Sequence, residues 1–161
     1  MKDFLLIANQ NAITYKEFFP FLKKGQVSVG YTKPTEYLLP NGDIQKSGDN
    51  IWFSTLPTPG KKTLTLTKTY NKQDYPHYDN YDAIEVGKVA NIPDDYYGVM
   101  GVPITFLDKY NPEQFEIVGM SSSAGYTKEI VGLPLLKDGD ARPLIDGKNT
   151  YARIFIRRKT N

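Results

Sequence analysis

Five consecutive apolar residues, Phe4-Leu5-Leu6-Ile7-Ala8, constrain the fold of this chain more than any other feature. A run without polar alternation fits a strand covered on both faces, as in a parallel sheet. Asn9-Gln10-Asn11 ends it with three amides. Thr14-Tyr15-Lys16-Glu17 then has the spacing of a capping box, in which Thr14 caps a helix start and Glu17 reaches back to the Thr14 amide. Phe18, Phe19, Phe21 and Leu22 supply an apolar helix side, which Pro20 shortens or kinks. Lys23-Lys24-Gly25 carries the cations and the glycine of a helix C-terminus, and Val27-Ser28-Val29 alternates as a short strand. Residues 1–30 therefore read as a βαβ unit, which normally belongs to a parallel sheet. One such unit cannot bury its own sheet faces, so the pattern implies a chain that enters partway into a larger α/β layout.

The remainder, 31–161, reads as β-rich. Asn41-Gly42 between Leu38-Leu39 and Ile44 is a hairpin signal. Ile51-Trp52-Phe53 is a strand, and Thr63-Leu64-Thr65-Leu66-Thr67 alternates as a half-buried one. Ala83 to Val86 is a further strand. Gly98 to Leu107 suits a buried extended segment that other backbone approaches closely. Asn111-Pro112-Glu113 starts at most one helical turn before a strand over 115–120. The stretch 121–147 is rich in Gly, Asp and Pro and reads as loop with small strands, and Tyr151 to Arg157 closes the chain with a strand and a basic tail. The fold class is α+β, a βαβ start followed by a mostly β region with a mixed sheet. At 161 residues the chain fits one domain, 1–161.

Composition removes several functions. With no cysteine there are no disulfides, thiolate metal sites or cysteine nucleophiles. The longest apolar runs are too short for a signal peptide or a membrane span, so the expected setting is the cytoplasm, with no membrane partner. A net charge of +2 is too mild to argue for nucleic-acid binding by itself. Twelve tyrosines suit half-buried strands and contact surfaces.

Few residues carry chemistry. His77, the single histidine, stands near Asp79 and Asp82, but a metal site needs more strong ligands, and turn roles for such aspartates are commoner. The polar, aromatic stretch Tyr78-Asp79-Asn80-Tyr81 suits stacking on an extruded base or gripping a DNA backbone. Asn111-Pro112-Glu113-Gln114 is close to the (D/N)PP(Y/F) clamp of amino-methyltransferases, yet Glu113 replaces the second proline and Gln114 the stacking ring, so a helix cap is the better reading. Gly98-Val99-Met100-Gly101 is a weak GxxG, and neither GxGxxG nor a phosphate loop occurs. Ser121-Ser122-Ser123 lacks a histidine partner for a nucleophile. The basic residues placed to meet phosphates are Lys61, Lys62, Lys68, Lys72, Arg153, Arg157, Arg158 and Lys159. Each contact adds a salt-dependent, sequence-blind increment, and only proximity in space distinguishes such residues from an ordinary solvated surface.

Several segments resemble the EcoRI-type adenine-specific DNA methyltransferases: FLLIANQNAITYKEFFP at 4–20, IWFSTL at 51–56, YPHYDNYDAIEV at 75–86, IPDDYYGVMGVPITFLDKYNPEQFEIVG at 92–119 and YARIFIRRK at 151–159. They occur in the family's order, and 31–50 and 137–149 are the least similar. The resemblance implies a partial class I methyltransferase-like fold that methylates adenine N6 in duplex DNA with S-adenosyl-methionine. It implies too that the cofactor motif and the catalytic loop lie before this carboxy-terminal part, in a missing amino-terminal segment. Asn9, Gln10 and Asn11 then sit at the carboxyl end of a sheet strand, where ligands of α/β sheets bind, and line the target-base side; capping the loop and helix is an equal reading. Two other functions stay open: a stand-alone DNA-binding module derived from that family, and a non-catalytic interaction protein that self-associates through an exposed sheet edge.

Overall fold

The computed structural model describes residues 2–30, 32–57, 62–121, 132, 133, 135, 136 and 141–160. The chain forms two compact units, Met1–Gly60 and Lys61–Asn161. The first unit includes a strand over Asn50–Ser54 that closes its sheet.

In the first unit, β1 (Leu5–Asn9) runs into a 3-10 turn at Gln10–Thr14, followed by the short α1 (Phe19–Lys23) and β2 (Ser28–Val29). The strand–helix–strand order is as expected, but the parallel pairing is corrected. Here β5 (Asn50–Ser54) lies between β1 and β2 and is antiparallel to both. The capping box does not form: the Thr14 hydroxyl donates to the Asn11 carbonyl, and Pro20 sits in the first turn of α1, where its missing N–H costs nothing. The helix stop is as expected, with Gly25 at φ +67° and its amide on the Leu22 carbonyl. Ile13, Phe19, Leu22, Val27, Val29, Ile51 and Phe53 are buried, and Phe18 meets Phe53 edge-on at 4.8 Å. The hairpin of β3 (Glu36–Leu38) and β4 (Ile44–Lys46) turns through Gly42 at φ +88°.

The second unit is built on a mixed four-stranded sheet in the order β6 (Ile84–Glu85), β7 (Met100–Val102), β11 (Ile154–Arg158), β8 (Phe115–Met120). Only β6 and β7 are parallel. β11 lies inside the sheet, with a register shift between Phe155 and Ile156. Its Ile154, Phe155 and Ile156 are all buried, and Phe155 packs against Tyr78 and Tyr81. The anticipated strand at 63–67 is absent: those residues have no strand partner among the described residues, up to a single bridge between Lys68 and Pro93. After β7 the chain coils into a 3-10 helix at Ile104–Lys109, so 98–107 is extended only in its first half. The close approach expected there comes from rings and not from backbone. A Cβ at Gly98 would strike Tyr96, and one at Gly101 would strike Tyr78. A hairpin of β9 (Leu144–Ile145) and β10 (Lys148–Asn149) turns on Asp146 and Gly147, both at positive φ. Among the described residues no helix is long and apolar enough to cross a membrane.

Candidate nucleic-acid interface

Four of the basic residues scattered in sequence, Lys62, Lys68, Arg157 and Lys159, lie on segments that hydrogen bonds and an ion pair link to the end of β11. Antiparallel pairing sets Arg157 opposite Glu116 and Arg158 opposite Phe115, and the Lys159 amide donates to the Gln114 carbonyl at 3.0 Å. The Gln114 side chain then reaches across to Leu64. Its Nε2 donates to the Leu64 carbonyl at 2.7 Å, and its Oε1 accepts from the Leu64 amide at 2.8 Å. One glutamine so takes the place of a neighbouring strand for Leu64, two residues along the chain from Lys62. On the other side, the Asp94 amide donates to the Lys68 carbonyl at 2.8 Å, while the Asp94 carboxylate lies 3.1 Å from the Arg158 guanidinium. Arg158 stacks over the Tyr97 ring at 5.0 Å. Lys62, Lys68 and Lys159 are exposed, and Arg157 is exposed with Glu116 at 3.9 Å, a pair too solvated to bind it firmly. Lys61 lies outside the described residues. A cleft of about 320 Å³ opens nearby, lined by Lys68, Asp74, Tyr75, Glu85, Gly87 and Asn91. Its size is at the lower end for small-molecule sites, and nothing in the sequence pattern marks it. Burial, then the charges of Asp74 and Asp95, push the Tyr75 phenol up, so it stays neutral there.

Arg153 belongs to a different structure. Its Nε and NH2 lie 3.0 and 2.5 Å from Glu85 Oε1, with the side chains only 10% and 13% exposed. The Tyr78 hydroxyl donates to the same carboxylate. Burial, then the charge of Glu85 and the hydrogen bond to it, hold the Tyr78 phenol far above the ordinary tyrosine range. The positive charge of Arg153 is thereby matched inside the unit.

The stretch Tyr78-Asp79-Asn80-Tyr81 clasps a neighbouring segment. The Tyr81 hydroxyl donates to the Ala141 carbonyl at 2.5 Å, and Asn80 Nδ2 to the Arg142 carbonyl at 2.7 Å. Asn80 Oδ1 accepts from the Leu144 amide at 3.0 Å and Asp79 Oδ2 from the Gly147 amide at 2.7 Å. Tyr78, Asn80 and Tyr81 are buried. The other target-base candidates are in the first unit. Asn9 Oδ1 accepts from the Asn11 amide at 2.8 Å, capping the 3-10 turn, and Gln10 Oε1 accepts from Lys33 at 2.9 Å. Asn9 and Asn11 are exposed.

Asn111 acts as the cap its sequence predicts. Its Oδ1 accepts from the Glu113 amide at 2.9 Å, and its carbonyl from the Gln114 and Phe115 amides. Asn111 is buried, and Gln114 is committed to Leu64. Ser121 is buried with its hydroxyl accepting from the Arg153 amide at 2.7 Å, and Ser122 and Ser123 lie outside the described residues. Sequence reasoning missed the Glu85–Arg153 pair and the Gln114 clasp, since both join residues far apart in the chain.

Comparison with known proteins identifies the family. Residues 1–159 match the model of the adenine-specific methyltransferase EcoRI family. The type II methyltransferase M.EcoRI of Escherichia coli is 41% identical over 98% of this chain and 51% of its own length. M.MgeORF184P of Mycoplasma genitalium is 32% identical over 98% of the chain and 57% of its own length, and M.MpnI of Mycoplasma pneumoniae 30% over 99% and 58%. The chain thus spans about half the length of the curated relatives it matches. No solved structure matches it. Its 161 residues belong to the EcoRI-type adenine-specific methyltransferase family.

Proposed function

We propose that this chain is the carboxy-terminal portion of a site-specific DNA adenine-N6 methyltransferase of a restriction–modification system, working in the cytoplasm. In this reading it contributes contacts to duplex DNA and to the target base, and the cofactor and catalytic motifs are carried by an amino-terminal segment. The observation that carries the reading is the match itself, which covers nearly all of this chain but about half of each relative.

S-adenosyl-methionine is the methyl donor the family implies. The residues present do not fit it. The space beside Gly98 and Gly101 is filled by Tyr96 and Tyr78, so neither of these glycines opens a cradle. The Asn111 carboxamide, the nearest thing to an amino-group clamp, is tied to its own turn, and a glutamine stands where a stacking ring is needed.

The DNA role falls to Lys62, Lys68, Arg157 and Lys159, which are exposed. Arg158 supports them from its place on Tyr97. Asn9, Gln10 and Asn11 remain the candidates for the target-base side, since two of the three are exposed. Contact between an extruded base and Tyr78 or Tyr81 would require either ring to leave the core.

Duplex binding measured against salt concentration tests the reading. The chain is expected to bind with an affinity that falls steeply with salt. Lys62→Ala combined with Arg157→Ala should weaken binding and reduce the slope of log affinity against log salt by about 2, roughly one per lost phosphate contact. Duplex affinity that neither salt nor the double substitution changes would sink the proposal.

A further inference from the structure

Arg158 ends β11 and is mostly covered, with its side chain 16% exposed. Successive residues of a strand point to opposite faces, so it leaves β11 on the face away from Arg157. Its Nε and Nη1 are both buried, and neither has a hydrogen-bond acceptor among the described residues. What holds the guanidinium is one charge and one ring. Nη1 lies 3.1 Å from Asp94 Oδ1 without the alignment of a hydrogen bond, and the guanidinium carbon lies 5.0 Å from the Tyr97 ring centre. Both holders face water: the Asp94 side chain is 65% exposed and Tyr97 50%. A carboxylate so well solvated holds a cation weakly, and salt weakens it further. Buried N–H groups that lack acceptors make the position less favourable still. The backbone around the pair is fixed all the same. The Asp94 amide donates to the Lys68 carbonyl at 2.8 Å, and Asp95 Oδ1 accepts from the Tyr70 amide at 2.6 Å. Arg158 is therefore loosely held against an anchored loop.

We propose that Asp94 and Tyr97 store the Arg158 guanidinium in the free protein and give it up to a backbone phosphate of duplex DNA. Asp94 is then a competitor of DNA for this arginine and lowers the affinity of the chain for a duplex. The inference rests on the reading of the chain as the DNA-contacting portion of a methyltransferase. A phosphate offers what the stored position lacks. Its oxygens accept the parallel N–H bonds of a guanidinium fork, and its charge replaces that of Asp94. Lys62 and Lys68, exposed on segments bonded to Gln114 and Asp94, add charge of the same sign and favour a polyanion.

The test measures the affinity of the full 161-residue chain for one duplex oligonucleotide across a salt series. Asp94→Asn should tighten binding about two- to fivefold at low salt, the worth of an exposed ion pair. Arg158→Ala should lower the slope of log affinity against log salt by about 1, one phosphate contact. Arg158→Lys should keep the slope of the unaltered chain and still bind more weakly, since it retains the charge without the fork. The decisive protein carries Asp94→Asn with Arg158→Ala, and it should bind as Arg158→Ala alone does. If removing the Asp94 charge instead raises affinity by the same factor with and without Arg158, the effect is a general one of charge and the proposal is overturned. It is overturned as well if Asp94→Asn leaves binding unchanged, or if Arg158→Ala keeps the original slope. Thermal melting identifies a variant that fails to fold, and Arg158→Gln takes the place of Arg158→Ala in that event. Lys62→Ala with Arg157→Ala, measured beside them, keeps the two readings apart. Weakening by that pair with no effect at Asp94 or Arg158 defeats only this inference, whereas a chain that binds no duplex at any salt defeats the DNA role and this inference with it.

Discussion

β1 and β11 are both five-residue strands with uninterrupted apolar runs, Leu5-Leu6-Ile7-Ala8 and Ile154-Phe155-Ile156, and they meet opposite fates. β11 lies between β7 and β8, and its three apolar residues are buried. β1 lies at the edge of its sheet, and three of its four apolar residues are exposed. Local sequence gives both the same tendency. What separates them is the number of strands and layers available to cover each, so the same pattern marks a buried centre in one place and an exposed edge in the other.

Substitutions should expose that difference. The largest effect is expected at Phe155→Ala, which empties a fully buried ring site between Tyr78 and Tyr81 and should cost about 3–5 kcal/mol in urea unfolding of the second unit. A cost below about 1 kcal/mol would mean that β11 is not the packed centre described here. Next comes Arg153→Ala, which leaves the buried Glu85 carboxylate with only Tyr78 as its hydrogen-bonding partner, and should cost about 3 kcal/mol in the same measurement. Stability of this unit should also fall in alkali. The Tyr78 phenol is held protonated in the fold by burial first and by Glu85 second. The unfolded phenol releases its proton near pH ~10, so this contribution is complete below that pH and lost as pH rises above it. Tyr78→Phe should flatten the alkaline part of a stability–pH curve, and an unchanged curve would remove Tyr78 as the cause. The smallest effect is expected at Ile7→Lys: less than about 0.5 kcal/mol on the isolated chain, because the side chain already meets solvent. A large loss there would show β1 to be part of a core after all.

Much of the architecture was legible. Gly25, Gly42 and the Asn111 cap were readable because their effects act within a few residues and depend on backbone angles or one short side chain. The capping box at Thr14 failed because Asn9 caps an earlier turn and Pro20 restarts the helix later. The strand expected at 63–67 failed because its alternation describes which side chains are half-buried, whereas a strand also needs a backbone partner, and a single glutamine side chain takes that place. The candidate interface was readable only as a set of cations. Arg153 and Arg157 lie four positions apart, and nothing local tells that one meets Glu85 in the interior while the other faces solvent.

The sequence by itself determined the family, the mixed α+β class, most strand positions and the turns, since each is written in contiguous residues whose periodicity or backbone preference needs no distant partner. The tertiary structure alone decided which apolar strand is buried and which is left open, and which arginine is neutralised. Those outcomes depend on pairing between segments far apart in the chain, as Gln114 with Leu64, Glu85 with Arg153, and β5 between β1 and β2. The energy of such contacts comes from desolvation and geometry that exist only once the segments meet.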